Sequence, residues 1–156
     1  MQAELINPFI KSTINVLSTM CAINPTPGKP SLKGDKKTWG IVTGIIGLAG
    51  PSVMGNMMIS FDTDGVLKVV GNLLSEQYTE ITQDVIDAVG EITNMITGGA
   101  KKDLSEIGMM IEMATPMVMI GSGVEISQLA SAPILTVPFS FQEGAFVVEA
   151  SLSQRK

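Results

Sequence analysis

The sequence contains no histidine and a single cysteine, Cys21. Without an imidazole, Ser-His-Asp and Cys-His nucleophilic schemes are excluded, and so is any histidine general base. One thiol cannot build a disulfide framework. Zinc draws mainly on Cys and His, so a structural zinc is close to excluded, and no metal site is expected in this chain. Aromatic residues are scarce too: one Trp, one Tyr and five Phe leave little stacking surface. Basic residues are outnumbered, with ten Lys and Arg against fifteen Asp and Glu and a formal net charge of −5. With no basic stripe, neither a nucleic-acid nor an anionic-membrane partner is expected. The acidic balance suits a partner that presents lysines. No glycine-rich stretch has the spacing of a nucleotide site, and Gly121-Ser122-Gly123 is only superficially like one.

What is present fits a globular chain. Its 156 residues suit a single domain, 1–156, large enough to bury its own core without staples. Eleven methionines read as adaptable core filler, with promiscuous partner binding as the other use of such a residue. The opening residues carry Glu4 and Lys11 and lack an uninterrupted apolar region, so no leader is expected there. Trp39 to Phe61 carries no charge and is long enough for a bilayer, which takes about 20 residues. Its glycines and the Gly50-Pro51-Ser52 break favour two buried strands instead. The expectation is a cytoplasmic protein without a membrane span.

Along the chain, Asn7-Pro8 predicts the N-cap and first turn of a helix reaching about Met20. A short edge strand is expected near 31–34, then strands over 40–48 and 53–61. Thr63 is expected to cap a helix over 64–74. The next helix starts near Thr82. Gly98-Gly99 is either its C-cap or a close-packing point within a longer helix to about Leu104, and the longer helix is the reading adopted. Short strands follow at 109–113 and 117–120, then a hairpin of 133–141 and 145–152 around Gln142-Glu143-Gly144. Helix, strands, two helices, strands is an α+β order, with helices on one face of an antiparallel sheet. Two related halves are conceivable, although no sequence repeat is evident.

The helix beginning near Thr82 carries the most informative pattern. Asp87, Glu91 and Asn94 stand at i, i+4 and i+7 and project within a sector of about 60°. Asp84 falls on the same side. Val85, Ile86, Val89, Ile92 and Ile96 fall on the other. One face is therefore buried, and the opposite face offers a carboxylate and an amide to whatever docks there. Such an arrangement suits chemistry done on a partner. An exposed Glu is commonly just solvated, and Asp84 and Asp87 also favour the helix dipole. Asn94 is less bland, being a weak helix former in mid-helix. Gly90 could admit a partner or pack against the protein's own sheet; the second is the expectation.

Asp87-x-x-x-Glu91-x-x-Asn94 matches the pattern Asp/Ser-x3-Glu-x2-Asn and resembles the chemotaxis phosphatase family of CheC, CheX and FliY. The surroundings AVGEITNMITGG are similar to the family's G-E-x-x-N-x-x-x-G helix. VTGIIGLAGPSVMGNMMISF is similar to its strand pair, and LINPFIKSTINVLSTM to its leading helix. The resemblance covers nearly the whole chain and is nearest to the CheX branch. CheC-like members carry the motif twice. Here the other Glu-x-x-Asn pair, Glu4 and Asn7, lacks room for the preceding acid and reads as capping chemistry.

The resemblance implies the CheC/CheX-like two-layer fold and a phosphatase acting on the phosphoaspartate of CheY-type response regulators. It implies a homodimer with one active helix per subunit. Asn94 would orient the attacking water and Glu91 would engage the partner's active-site lysine. Docking by Asp87 and Asp84 is inferred from their place on the ridge. No cofactor is expected in this chain; magnesium is expected on the partner receiver domain. The alternatives are a non-catalytic regulator-binding adaptor and a structural component associated with the flagellar switch.

Overall fold

The computed structural model describes residues 3–126 and 132–154. In chain order the elements are α1 (Ala3–Cys21), β1 (Thr26–Pro27), β2 (Ser31–Lys33), β3 (Val42–Ala49), β4 (Val53–Phe61), α2 (Thr63–Leu74), α3 (Gln83–Glu106), β5 (Glu112–Met113), β6 (Met117–Ile120), β7 (Ile134–Phe141) and β8 (Gly144–Gln154). The strands form one antiparallel sheet in the order β1-β7-β8-β4-β3-β5, with β2 also on β7 and β6 also on β3. The expected α+β architecture is the observed one. Among the described residues no helix is long and apolar enough to cross a membrane. The uncharged run from Trp39 to Phe61 supplies β3 and β4.

The strand order is symmetric about the β8–β4 pair. Each central hairpin, β3–β4 or β7–β8, is flanked by short strands that come from the other half of the chain. The two halves thus exchange their short strands, and this relation has no visible trace in the residues.

Alternation sets the two faces of the sheet. Val42, Ile46, Met57, Ile59, Phe61, Val137, Phe139, Phe146 and Val148 point to the helices and build the main core with Phe9, Leu17, Val69, Val89, Ile92 and Ile96. Phe139 stacks on Phe146 at 4.9 Å between ring centroids, an offset contact that favours the pair beyond its burial. Among the described residues the opposite face carries a smaller cluster of Ile45, Met58 and Ile134. It also buries the Lys33–Glu149 ion pair, at 2.9 Å, with the two side chains 13% and 2% exposed.

Several details differ from expectation. Helix α1 is already formed at Ala3, and Pro8 lies inside it. Leu5 and Ile6, 3% and 1% exposed, extend the apolar stripe past the proline, and their burial outweighs the one lost backbone hydrogen bond. The cap of α2 is Asp62 rather than Thr63; its carboxylate accepts from the Gly65 N–H at 2.7 Å. The two-residue strand β1 has no counterpart among the expected elements, and β5 forms only the end of the strand expected over 109–113.

Helix α3 is held in place by two tight seats. At Gly44 of β3, any Cβ would collide with the Thr93 hydroxyl, so glycine lets the helix settle onto the strand. At Gly99, a Cβ would collide with Ser12 of α1. There the Ser12 hydroxyl donates to the Ile96 carbonyl at 2.7 Å.

Candidate functional site

Helix α3 starts where the sequence places it. Thr82 is the N-cap, its hydroxyl accepting from the Val85 N–H at 3.4 Å. It runs unbroken through Gly98 and Gly99 to Glu106, so the glycine pair is not a cap. Its buried face is Val85, Ala88, Val89, Ile92, Thr93, Ile96, Thr97, Ala100 and Leu104. Buried Thr93 and Thr97 satisfy their hydroxyls by donating to the carbonyls of Val89 and Thr93, each at 2.7 Å.

That burial turns the motif outward. Asp84, Asp87, Glu91 and Asn94 are all exposed. Asp87, Glu91 and Asn94 line one open cleft of about 420 Å³ together with Ile86, Gly90, Pro116 and Val118. Asp84 shares the exposed flank, but it stands in the first turn and does not line the cleft. Asp87 accepts a hydrogen bond from the Gln83 side-chain amide at 2.8 Å, which steadies it one turn before Glu91. Among the described residues, the Glu91 and Asn94 side chains have no hydrogen-bond or ion-pair partner, so both are available to a visitor. Tyr78, in the link before α3, has its hydroxyl pushed above its ordinary value by burial, then by a hydrogen bond with Glu76 and the charges of Glu76 and Asp84.

Reading the sequence alone misses the far wall of the cleft. Pro116 and Val118 belong to the edge of the sheet, where β6 pairs with β3, and they meet α3 only because of that long-range pairing. Gly90 faces this wall. A Cβ there would touch only Val118 Cγ2, at the ordinary contact distance of 3.6 Å. Gly90 thus faces the protein's own sheet, as expected, but that contact leaves room for a Cβ and does not itself require glycine.

The arrangement joins a carboxylate to a carboxamide on a rigid helix, beside an apolar wall. An amide oxygen accepts a hydrogen bond from a water, and its NH2 donates to a neighbouring oxygen. Neither is a strong base. The site can hold and orient a nucleophile, and it can pair with a cation. Among the described residues, no group of three or more His, Cys, Asp or Glu could hold a metal ion.

Comparison with known proteins gives consistent results. The family model described as chemotaxis phosphatase CheX matches residues 42–140. The CheY-P phosphatase CheX of Thermotoga maritima is 27% identical over 154 residues, covering 97% of each chain. The crystal structure of chemotaxis protein CheX from Vibrio vulnificus is 42% identical with a TM-score of 0.89, over 97% of this chain and 100% of that one. A CheX from Borrelia burgdorferi, in complex with CheY, BeF3 and Mg2+, is 28% identical with a TM-score of 0.81, over 97% and 99%.

Proposed function

The chain belongs to the CheX family of chemotaxis phosphatases, and we infer that it hydrolyses the phosphoaspartate of a CheY-type response regulator. Residues 1–156 act as one phosphatase domain. The name of the Thermotoga maritima relative and the CheY-bound state of the Borrelia burgdorferi neighbour support the substrate. The observation that carries the residue assignment is the exposure of Glu91 and Asn94 in one cleft on α3.

In this reading the receiver domain docks on the α3 ridge and brings its phosphorylated aspartate, with its own magnesium and lysine, up to the cleft. Glu91 pairs with that lysine and sets the register, a charge-assisted contact. The Asn94 carboxamide oxygen accepts a hydrogen bond from a water and aligns it behind the phosphorus. The water oxygen bonds to phosphorus as the bond from phosphorus to the aspartyl oxygen breaks. The carboxylate is regenerated, inorganic phosphate leaves, and the water's proton ends on the phosphate. Phosphoryl transfers of this kind are governed by positioning and charge stabilisation rather than by a strong base. An amide is therefore sufficient. Asp87 supports docking from the cleft, and Asp84 does so from the adjoining first turn. No cofactor of this chain is assigned.

The protein acts in the cytoplasm, where response regulators work, and as a homodimer. The outer edge of β6 supports the dimer. It is the exposed side of a short strand carrying Met117 and Ile120, 60% and 49% exposed, and unpaired edges of this kind invite a second strand.

Asn94→Ala tests the mechanism. Misplacing a reacting water by about 1 Å costs about 10²-fold, so phosphate release from a phosphorylated receiver domain should fall by that order. The thermal midpoint and the affinity for the beryllofluoride-activated regulator should stay near wild type. Turnover equal to wild type removes Asn94 from the mechanism. Tight binding by the wild-type protein with an unchanged phosphate lifetime would make it an adaptor.

A further inference from the structure

Helix α3 contains three glycines after its first turn, and its own fold accounts for only one of them. Gly99 is required, because a Cβ would run into Ser12 of α1. A Cβ at Gly90 would meet only Val118 Cγ2 at 3.6 Å, and one at Gly98 would meet nothing within 4 Å. Glycine is the poorest helix former after proline. A helix that carries two of them without internal need is weakened for another reason. Their placement is specific. Gly90 stands one turn before Asn94 and Gly98 one turn after it, on the same flank, and Gly90 lines the cleft with Glu91 and Asn94.

The geometry points to Gly90 and Gly98 as the residues that set how closely the docked receiver domain approaches Asn94, by leaving bare helix backbone on either side of it. This rests on the phosphatase reading. Asn is a short side chain. Its amide reaches a water behind the phosphorus only if the partner's main chain comes down onto the helix. A methyl group at either glycine would hold the two backbones apart. Glycine admits such close approach because it has no Cβ. Gly90 carries the larger share, because it also faces the Pro116–Val118 wall, so an added methyl there narrows the cleft itself.

The test uses the full chain with Gly90→Ala, Gly98→Ala and, for contrast, Gly99→Ala. The probes are a CheY-type receiver domain of the same cell, phosphorylated for turnover and bound to beryllofluoride and magnesium for binding. Gly90→Ala and Gly98→Ala should keep or raise the thermal midpoint. Gly90→Ala should weaken binding of the beryllofluoride-activated domain at least about tenfold and lower kcat/KM by about 10²-fold, the cost of a ~1 Å displacement. Gly98→Ala should move both in the same direction by less. Gly99→Ala should lower the midpoint instead. Binding by Gly90→Ala within twofold of wild type overturns the inference, and so does a midpoint that falls as far as that of Gly99→Ala. If the wild type binds the activated domain yet leaves its phosphate lifetime unchanged, the phosphatase reading fails, while the glycine assignment is still judged by the binding result.

Discussion

Thr93, Asn94 and Glu91 lie within one turn of each other and have separate fates. Thr93 is fully buried against Gly44, and the other two are exposed. Rotation of about 100° per residue is enough to divide a structural hydroxyl from two solvent-facing groups, which is why the candidate residues are legible from helical spacing together with their sequence surroundings. Pro116 and Val118 have no such signature. Their part in the cleft depends on β6 pairing with β3 across about half the chain, and no local pattern encodes that. Cys21 gives a test at this scale. Burial pushes its thiol from 9.0 up to about 11, so at pH 8 the thiolate population falls about 100-fold and alkylation should be slower by at least that factor. The shift also has a sign for stability. The folded state holds the proton more tightly than the unfolded state, so this contribution is complete below pH 9 and is lost as pH rises towards 11. A Cys21→Ala variant should show a smaller fall in thermal midpoint over that window.

Elements were legible where period and capping agreed. Helix α3 begins at Gln83 with Thr82 as its cap, where a start near Thr82 is expected, and β4 matches its expected bounds. Helix α1 was misplaced at its start because Pro8 is a strong local signal, whereas the burial of Leu5 and Ile6 that overrides it is tertiary. Strand β1 is too short to show alternation. Edge strand β2 yields the prediction at this scale. It is tied to the sheet by Lys33, whose ammonium donates to Glu149 at 2.9 Å and to the Lys37 carbonyl. Lys33→Ala leaves a buried carboxylate alone and should cost about 3 kcal/mol in denaturant unfolding. Lys33→Met with Glu149→Leu should recover most of that loss, since the removed charges no longer need each other. A double variant as unstable as the single one would show that the pair does more than neutralise itself.

At the scale of the whole molecule, the architecture was readable as an order of elements, while the exchange of short strands between halves was not. Oligomeric state belongs here. Light scattering at micromolar protein should give about twice the 16.5 kDa chain mass, and a mass equal to one chain removes the dimer. The symmetric strand order has a consequence for biosynthesis. β4 and β8 are centre neighbours in the sheet, yet more than half the chain separates their paired residues. As the polypeptide leaves the ribosome, α1, the β3–β4 hairpin, α2 and α3 all emerge while the place beside β4 is still vacant. The nascent chain therefore carries an open seam with Met57, Ile59 and Phe61 behind it until β8 is made. Long-range closure of this kind is slow, and an intermediate with an unfilled strand edge is a natural client for a holding chaperone.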